Sequence, residues 1–543
     1  MLCLKIEKLR IKNFKCFKNW FDIDFTEGIN IIVGNNGEGK STILEAINLV
    51  LTGYYKGKNI KNNISQYLFN NDVVKEYLEK VTEVRPSKLP EIVIEVYLAG
   101  EIPQFLGDNN SLKEKKKPGI KLTIHFDEDY EKEYVNLKKE ELVSLPLEYY
   151  TVTWESFARE IITSRSIPLK SSYINSTSNR NGSDWYISSI VKNMLSEQEL
   201  INISQIYRKF KDSFAKESNI SSINQRLHSD IGDDFTLTVD YGTKDSWRDN
   251  IATQLDGVIY ENIGHGDQCR MKTKLSLNEV KDDTGRVLLF EEPECHLSHS
   301  HLNKIINEID LARETKQVIV TTHSSFVANK LGLKSLILLK RNVCITFSHL
   351  EKETINFFKK ISGYDTLRMI LSKKIVLVEG DSDELIVQKG YKDRYGKLPI
   401  EDCIDIISVG TSFKRFLEIA ERLNLKTFVI TDNDGDLEAI KKKYSNYLEK
   451  NKKDNITISF DQNVYEYNGG IKDYNNNTLE PCLLRTNSLK KLNEILNKSF
   501  KTEDELCKYM KENKTQVALS IFESNISIEY PEYIDNVIDK LGD

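Results

Sequence analysis

The segment around Lys40 constrains the fold of this chain more than any other stretch. Residues 29–34 read INIIVG, a continuous apolar run typical of a buried strand, and residues 34–41 then read GNNGEGKS. Glycines at this spacing, followed by Lys-Ser and placed between a strand and a helix, form a loop whose backbone amides surround phosphate groups. The sequence therefore predicts an α/β domain that binds a nucleoside triphosphate.

The residues of this loop have different expected roles. Lys40 is expected to reach the β- and γ-phosphates of ATP, and the Ser41 hydroxyl is expected to be a ligand of Mg²⁺. The other residues predicted to contact the nucleotide are Gly34, Asn36, Gly37, Gly39 and Thr42.

A second apolar run, residues 287–290, ends in an acidic pair. The first carboxylate, Glu291, is predicted to hold Mg²⁺, and the second, Glu292, to polarise the attacking water as a general base. The next apolar strand ends in His323, whose imidazole is predicted to meet the γ-phosphate. The alternative for His323 is an ordinary loop histidine.

The motifs NFKCF, GNNGEGKST, EEPECHL and TTH, taken together, resemble the ATPase heads of the SMC, Rad50 and RecF group. Those proteins are ABC-type ATPases that dimerise around the nucleotide. Glu291 follows Lys40 by only 251 residues, without the heptad array of a long coiled coil, which indicates a compact member.

The resemblance implies further nucleotide contacts. The segment GHGDQ stands where the group has its signature, so Gly264, Gly266 and Gln268 are predicted to contact nucleotide across a dimer. Gln66 is a candidate for the glutamine of the Q-loop. Because the signature is not LSGGQ and the acidic pair is Glu-Glu, both hydrolysis of ATP and slow, regulatory use of ATP stay open.

Three histidines follow the acidic pair, at positions 296, 299 and 301. A zinc site is one interpretation, but no cysteine stands at the usual spacing. The other interpretation, which we prefer, is that one histidine packs near the nucleotide and the others are exposed.

Residues 155–250 have a different pattern from the flanking strands. One helical face in this range is apolar, and it is formed by Leu200, Ile203, Tyr207, Phe210 and Phe214. This pattern predicts a helical insertion, which is either an ordinary core helix or a dimerisation element.

A second α/β unit begins near Lys373, where KIVLVEG, IDIISVG and TFVITDNDGD each follow strand patterns. Glu379, Asp383, Asp432 and Asp434 lie after the carboxyl ends of two of these strands, where the ligand sites of parallel sheets form. Converging carboxylates repel one another unless divalent cations neutralise them, and oxygen ligands favour Mg²⁺, Mn²⁺ or Ca²⁺.

This order, a glutamate after one strand and DxD after a later one, resembles the Toprim domain. An ABC-type ATPase followed by Toprim resembles the OLD-family nucleases, and this resemblance covers nearly the whole chain. It implies that Glu480 in TLEP is a metal ligand and that Lys514 in NKT stabilises charge on the scissile phosphate. The turn SVGTS at residues 408–412 matches the family's glycine-containing turn.

The predicted fold class is α/β, an ABC/SMC-like P-loop ATPase with a helical insertion followed by a Toprim (Rossmann-like) domain. The predicted domains are 1–154 (ATPase, first part), 155–250 (insertion, probable dimerisation), 251–350 (ATPase, second part) and 370–543 (Toprim).

The predicted function is an ATP-regulated, divalent-metal-dependent DNA endonuclease that acts as a homodimer or higher homo-oligomer. The family resemblance implies defence against bacteriophage, beside a UvrD-like helicase or a retron reverse transcriptase with its RNA. A DNA-clamping ATPase with an inactive Toprim unit, or a sensor ATPase that gates a partner, are the alternatives.

Bulk composition is compatible with this prediction. A net charge of −6 does not exclude DNA, because binding needs only a local basic face. Eight cysteines are scattered without a CxxC pair, which indicates free thiols and a cytoplasmic location. No apolar run of about 18 residues is found, so no membrane partner is expected.

Overall fold

The computed structural model forms two compact units, each described below by itself. Unit 1 comprises Met1–His323 and Ile337–Cys344, and unit 2 comprises Ser324–Leu336 and Ile345–Asp543. The structure describes residues 4–80, 89–100, 102–137, 142–164, 166–176, 196–231, 236–239, 253–278, 285–340, 342–347, 350–360, 366–466 and 475–542.

The strands, in chain order, are β1 (Lys5–Lys12), β2 (Phe21–Asp24), β3 (Ile29–Gly34), β4 (Tyr54–Tyr55), β5 (Lys58–Asn59), β6 (Ile92–Ala99), β7 (Leu106–Gly107), β8 (Lys117–Phe126), β9 (Tyr150–Ser156), β10 (Lys170–Asn175), β11 (Gln254–Leu255), β12 (Val258–Ile259), β13 (Arg286–Glu291), β14 (Gln317–Thr321), β15 (Leu336–Lys340), β16 (Val343–Thr346), β17 (Lys374–Val378), β18 (Ile404–Ser408), β19 (Lys426–Ile430) and β20 (Ile456–Ser459).

The α-helices are α1 (Lys40–Thr52), α2 (Asn71–Lys80), α3 (Glu131–Val135), α4 (Glu197–Ala215), α5 (Ser218–Ile231), α6 (His265–Asn278), α7 (His299–Ala312), α8 (Ser325–Leu331), α9 (Lys352–Lys360), α10 (Thr366–Leu371), α11 (Asp381–Tyr395), α12 (Phe413–Arg422), α13 (Leu437–Lys443), α14 (Leu479–Thr486), α15 (Leu489–Leu496), α16 (Glu503–Glu512), α17 (Lys514–Glu523) and α18 (Glu532–Gly542).

The sheet that carries the nucleotide loop has the order β10-β13-β14-β3-β15-β16. Its central strands β13, β14 and β3 pair in parallel. All six residues of β3 are buried, which explains its continuous apolar sequence, since strands covered on both faces do not alternate. This sheet places the carboxyl ends of β3, β13 and β14 along one edge.

A second, antiparallel sheet in unit 1 has the order β2-β1-β6-β8-β7, with β9 paired to β8. Ile6, Leu9 and Ile11 of β1 are fully buried in the core below it, together with apolar residues of helix α1. Helix α1 is therefore covered on its apolar side, and its first residue, Lys40, is fixed at the end of β3.

The range 155–250 differs from its prediction as a helical insertion at its start. Strand β10 lies within this range, and it pairs in parallel with β13 as part of the ATPase sheet. Helices α4 and α5 follow, and Ser196 and Glu199 form a capping box at the start of α4. Residues 165, 177–195, 232–235 and 240–250 of this range lie outside the described residues.

Unit 2 contains a wholly parallel sheet with the order β18-β17-β19-β20. Its strands β17, β18 and β19 are those predicted from the sequence. Unit 2 also includes residues 324–336, which the predicted boundary at residue 350 had left with the ATPase. No helix in the described part of the chain has both the length and the apolar character needed to cross a membrane.

Candidate nucleotide and metal sites

The glycines of the predicted phosphate loop adopt backbone conformations that side chains rarely reach. Gly37 has φ 82° and Gly39 has φ 102°, both in the left-handed region. A Cβ atom on Gly39 would lie 2.6 Å from the Phe17 ring and 2.8 Å from Cys16 Sγ. The NFKCF segment therefore packs directly beneath the loop, and only glycine fits there.

Lys40 closes this loop in the structure. Its buried ammonium donates hydrogen bonds to the carbonyls of Gly34 (2.9 Å) and Asn35 (3.0 Å). Burial lowers the pKa of Lys40, and the charge of Glu292 acts in the opposite direction. Phosphate oxygens that entered the loop would replace these carbonyls as partners of the ammonium.

The remaining loop residues differ in their exposure to solvent. Asn36 and Ser41 are exposed, as a nucleotide ligand would require, whereas Thr42 is buried. The Cys16 thiol donates a long hydrogen bond to the Thr42 hydroxyl (3.6 Å). The position of Thr42 is thus fixed by the protein.

Glu291, at the end of β13, is buried and already has two protein partners. The Tyr173 hydroxyl and the Asn175 side-chain amide both donate to its Oε2. Burial, followed by the charge of Glu291, raises the pKa of Tyr173. Sequence analysis missed Tyr173 and Asn175, because the stretch KSSYIN around them has no motif that points to Glu291.

Glu292 and His323, the predicted general base and the predicted γ-phosphate contact, lie close to each other. His323 Nε2 is 3.5 Å from Glu292 Oε1, and the Cys295 thiol donates to Glu292 Oε2 at 3.2 Å. Burial, and after it the charge of Lys40, lowers the pKa of His323, which favours the neutral imidazole at pH 7. Glu292 has a left-handed backbone (φ 48°), so the chain turns sharply here.

The third glutamate of this segment supports His323. Glu294 Oε1 accepts from the Thr322 hydroxyl (2.7 Å) and from the His323 backbone N–H (2.9 Å). The loop after β14 is therefore tied to the loop after β13.

The GHGDQ segment begins helix α6 and packs on the loop after the acidic pair. A Cβ atom on Gly266 would lie 2.7 Å from the His296 carbonyl oxygen. Gln268 Nε2 donates to the carbonyls of Tyr260 (2.9 Å) and Ile263 (3.0 Å), and so it stabilises its own turn. Gly264 has open space around it.

Two further candidates are Gln66, predicted for the Q-loop, and the histidine run 296–301. Gln66 Oε1 accepts from the backbone N–H of Leu145 (2.7 Å), so its carbonyl is already used. No group of three or more His, Cys, Asp or Glu side chains among the described residues is arranged to hold a metal ion, and the histidine run 296–301 forms no zinc site there.

The predicted Toprim residues come from separate elements of unit 2. Glu379 follows β17, Asp383 lies in the first turn of α11, and Asp432 and Asp434 follow β19. Glu480 lies in the first turn of α14, and Lys514 is the first residue of α17.

The charges of four other carboxylates in unit 2 act on Asp432. Burial raises the pKa of Asp432 well above its ordinary value, and the charges of Asp383, Glu379, Glu480 and Asp434 raise it further. Each of these groups is thus close enough to Asp432 to repel its charge.

Several hydrogen bonds hold the cluster in position. The Gly380 N–H donates to Asp383 Oδ2 (3.0 Å), and the Leu479 N–H donates to Asp432 Oδ2 (3.3 Å). The Asn475 amide donates to Asp434 Oδ1 (2.9 Å). All three donors, two main-chain N–H groups and one side-chain amide, lie outside the set of carboxylates.

Lys514 brings a positive charge to this cluster. Its ammonium is 3.3 Å from Glu480 Oε1, and the Thr478 hydroxyl donates to Glu480 Oε2 at 3.3 Å. The Glu480 side chain is only 4% exposed, whereas that of Lys514 is 47% exposed. The ammonium is therefore reachable from solvent while it pairs with a buried carboxylate.

The turn SVGTS supports the backbone of Glu379. The Gly410 N–H and the Ser408 hydroxyl both donate to the Glu379 carbonyl, at 3.1 and 3.3 Å. Gly410 has φ 56°, in the left-handed region. The family's glycine-containing turn thus fixes the main chain at the first acidic residue.

The donor chemistry of the cluster fits a hard divalent cation. Burial, followed by the charges of Glu379 and Glu480, raises the pKa of Asp383 to about 7. Burial and the charge of Asp434 raise the pKa of Glu379. A cation among these oxygens would relieve the repulsion, although no three of the described side chains converge on one point as they stand.

These two units define a class of protein, a P-loop ATPase joined to an acid-lined TOPRIM-type unit. The chain belongs to the AAA domain family, whose profile matches residues 8–319. A second profile, "Overcoming lysogenization defect protein-like, TOPRIM domain", matches residues 370–434. The predicted fold class and the resemblance to the OLD family are confirmed.

The chain is similar to several curated proteins. It is 25% identical over 345 residues to the Septu protein PtuA of Bacillus mycoides, which is 61% of this chain and 39% of that protein. It is 38% identical over 96 residues to a structural maintenance of chromosomes protein 3 homolog of Plasmodium falciparum (16% and 8%). The chain spans well under half the length of these relatives.

Among solved structures, the chain is similar to an SMC head bound to the C-winged helix domain of ScpA. The TM-score is 0.33 and the identity 16%, over 63% of this chain and 98% of that chain. It is also similar to the recombination mediator protein RecF with ATP, at TM-score 0.33 and 12% identity, over 64% and 99%.

The domain matches establish the chemistry at a coarse level. An ATPase domain with an OLD-like TOPRIM domain implies use of a nucleotide and of a divalent metal. The roles of individual residues, the identity of the ion and the partners stay predictions.

Proposed function

We propose that this protein is an ATP-regulated DNA endonuclease that depends on a divalent metal. The observation that carries this proposal is a set of five carboxylates from separate segments of unit 2 whose charges repel one another near one sheet edge, beside the Lys514 ammonium. A structural ion-pair network would have one cation for each acid, whereas this cluster has an excess of negative charge.

In this proposal the carboxylates hold one or two cations, Mg²⁺ in the first place and Mn²⁺ or Ca²⁺ as substitutes. The predicted ligands are Glu379, Asp383, Asp432, Asp434 and Glu480. A cation bound there supplies Lewis-acid activation of water and of the leaving oxygen in phosphodiester hydrolysis.

The protein's own groups contribute positioning and charge. Lys514 stabilises the negative charge that develops on the scissile phosphate, from its place beside Glu480. The Asn475 amide and the Leu479 N–H orient the carboxylates of Asp434 and Asp432. These donors keep the acids in place before substrate arrives.

The ATPase unit is proposed to regulate this chemistry. ATP enters the loop around Lys40, with Mg²⁺ held by Ser41 and Glu291. Glu292 orients the attacking water, and the neutral imidazole of His323 donates to the γ-phosphate. Gly264, Gly266 and Gln268 of a second copy complete the site across a dimer.

A homodimer is supported by an exposed apolar face on helix α4. Ile206 is 67% exposed and Phe210 is 65% exposed, which an ordinary core helix would not show. We expect Phe210→Ser to shift the sedimentation coefficient from dimer to monomer, with Lys209→Ser on the polar side as the control. An unchanged dimer in the Phe210 variant would contradict this assignment.

Defence against bacteriophage is the setting that the OLD-family resemblance implies, with DNA as the substrate. A partner such as a UvrD-like helicase, or a retron reverse transcriptase with its RNA, belongs to the same proposal. The similarity to the Septu protein PtuA supports an assembly of that kind only at the level of the family.

Plasmid cleavage tests the proposal. Supercoiled plasmid is incubated with wild type, Glu379→Gln and Asp381→Asn, with Mg²⁺, Mn²⁺ or Ca²⁺, with and without ATP. Asp381 is an exposed residue two positions after Glu379, so its variant is a matched control. We expect cutting by wild type and Asp381→Asn, none by Glu379→Gln, and a change of rate with ATP.

A DNA-clamping or sensor ATPase is the alternative, which the similarity to SMC and Rad50 proteins in the ATPase unit favours. DNA binding without cutting under any metal, with ATP turnover intact, would support it. A purified partner that restores cutting would return the assignment to a nuclease.

A further inference from the structure

Tyr533 is a buried tyrosine that donates a hydrogen bond to one of the predicted metal ligands. It lies in the first turn of helix α18 and is only 5% exposed. Its hydroxyl donates to Asp432 Oδ1 over 3.4 Å, which is long for a bond of this kind. Phenylalanine would fill the same space without a hydroxyl that needs a partner. The core of unit 2 therefore carries a polar group to Asp432.

The packing of helix α18 fixes the position of this hydroxyl. The apolar side of the helix lies in the core of unit 2. The Ser459 hydroxyl, at the end of β20, donates to the Tyr533 carbonyl at 2.6 Å. Ser459 is paired with Ile430, the last residue of β19 and the second residue before Asp432. The main chain of Tyr533 is thus tied to the strand end that leads into Asp432.

Asp432 has a donor on each of its carboxylate oxygens. Tyr533 reaches Oδ1 from the core, and the Leu479 N–H donates to Oδ2 at 3.3 Å. Leu479 is the first residue of helix α14, so the two donors come from different helices. One bond alone would leave the carboxylate free to turn about its Cβ–Cγ bond, whereas two bonds on different oxygens define its plane. Each oxygen keeps a lone pair for a cation.

We propose that Tyr533 is a positioning residue for Asp432, and that its hydroxyl holds the carboxylate in the orientation that binds a divalent cation. Hydrogen bonds from groups behind the ligands commonly orient metal-binding carboxylates. In this role Tyr533 acts through Asp432 rather than on the DNA. This inference rests on the metal site of the proposed function and adds a residue that no motif contains.

The test compares the full chain with Tyr533→Phe and with Tyr530→Phe. Tyr530 lies three residues earlier, and its hydroxyl donates to Asp393 at 2.7 Å, outside the acid cluster. Both variants therefore lose a bond from tyrosine to aspartate, but only Tyr533→Phe loses it at a predicted metal ligand. Thermal unfolding is recorded in EDTA and over a Mn²⁺ titration, and plasmid cleavage is measured over the same titration.

In EDTA we expect both variants to unfold within about 5 °C of wild type, because each has lost one hydrogen bond. In the titration, the Mn²⁺ concentration at half of the thermal shift should rise about tenfold in Tyr533→Phe. The concentration for half-maximal cleavage should rise by a similar factor, while the rate at saturating Mn²⁺ changes little. Tyr530→Phe should match wild type in both Mn²⁺ dependences.

Ser459→Ala is a second variant, which keeps the Tyr533 hydroxyl but removes the anchor of its main chain. It should raise the same Mn²⁺ concentrations by a smaller factor than Tyr533→Phe. If Tyr533→Phe does not keep the native fold, Ser459→Ala decides the question, and a wild-type Mn²⁺ dependence in this variant would then contradict the inference.

A folded Tyr533→Phe variant whose Mn²⁺ dependence matches wild type would overturn the inference and leave the metal site in place. A lower unfolding temperature in EDTA would then give the hydroxyl a structural role only. An equal rise in Tyr530→Phe would also overturn it, because the effect would not depend on Asp432. If wild type itself shows neither a Mn²⁺-dependent thermal shift nor cleavage, the metal site of the proposed function fails, and the inference fails with it.

Discussion

The two candidate sites differ in how their charged groups are satisfied. In the ATPase unit, Lys40 bonds to loop carbonyls, and Glu291 accepts from Tyr173 and Asn175. In the TOPRIM unit, burial raises the pKa of Asp432 and of Asp383, and the charges of neighbouring carboxylates raise both further. The first site must give up internal bonds to bind its ligand, whereas a cation at the second would also relieve repulsion among the carboxylates.

The free energy of ligand binding therefore has different contributions at the nucleotide site and at the TOPRIM site. Nucleotide has to compete with protein groups, which suits a regulated site whose occupancy changes its shape. A divalent cation would relieve the repulsion among the TOPRIM acids, which the few protein donors on them leave in place, and would stabilise that unit by binding the native state.

Lys514→Ala should reduce DNA cleavage most strongly among the non-ligand changes. We expect a fall of about 100- to 1000-fold in kcat, the usual loss when a group that stabilises transition-state charge is removed. Lys508→Ala, an exposed lysine on the preceding helix, is the control and should cleave normally. Equal rates for both variants would remove Lys514 from the catalytic site.

Lys40→Ala should weaken ATP binding by about 10- to 100-fold, because charge-assisted bonds to the phosphates are lost. The comparison predicts that metal-dependent cleavage without ATP is unchanged in this variant, while its response to ATP disappears. A fluorescent ATP analogue measures the affinity, and plasmid cleavage measures the response. Loss of cleavage without ATP would show that the two sites are not separable.

Asp383→Asn should stabilise the metal-free protein at alkaline pH. The pKa of Asp383 is raised to about 7 in the folded state, so the folded protein holds a proton that the unfolded chain, near pKa 3.8, releases. Stability from this group is therefore full below about pH 4 and is lost as pH rises through about 7. Asparagine keeps an acceptor for the Gly380 N–H and avoids the loss.

Thermal unfolding in EDTA at pH 5.5 and pH 8.5 measures this effect. The variant should unfold a few degrees above wild type at pH 8.5, since each unit of pKa shift corresponds to about 1.4 kcal/mol, and the gap should shrink at pH 5.5. Mg²⁺ should raise the unfolding temperature of wild type more than that of the variant. A gap that grows toward acid pH would reverse the sign and refute the assignment.

Tyr173→Phe should have the smallest effect. Glu291 would lose one of its two donors, so Mg²⁺ with nucleotide would compete against one bond fewer and should bind about two- to tenfold more tightly. Ser171→Ala is the control, because Ser171 lies on the same strand and donates to Asn48 instead. Weaker binding in the Tyr173 variant would mean that the hydroxyl orients Glu291 for the metal.

The sequence predicted those parts of both sites that depend on strand ends. The buried run Ile29–Gly34 and the acidic ends of β13, β17 and β19 are local sequence patterns. Within each of the two sheets, parallel pairing brings the ends of such strands to one edge. Glu480 and Lys514 lie far along the chain from Asp432, and only the family resemblance placed them in the site.

The missed residues depend on tertiary contacts that leave no local pattern. Tyr173 and Asn175 lie more than 100 residues before Glu291 and reach it only because β10 pairs with β13, in a range predicted to be helical. Long-range packing decides which strands pair in a sheet, and the hydrophobic periodicity of a single strand does not reveal its neighbour.

Mn²⁺ binding without nucleotide tests the difference between the nucleotide site and the TOPRIM site most directly. It is measured by calorimetry on wild type, Asp432→Asn and Glu291→Gln. The account predicts that wild type and Glu291→Gln bind Mn²⁺ alike, because Glu291 is already held by protein donors, and that Asp432→Asn loses this binding. Binding that survives in Asp432→Asn, or that disappears in Glu291→Gln, would contradict it.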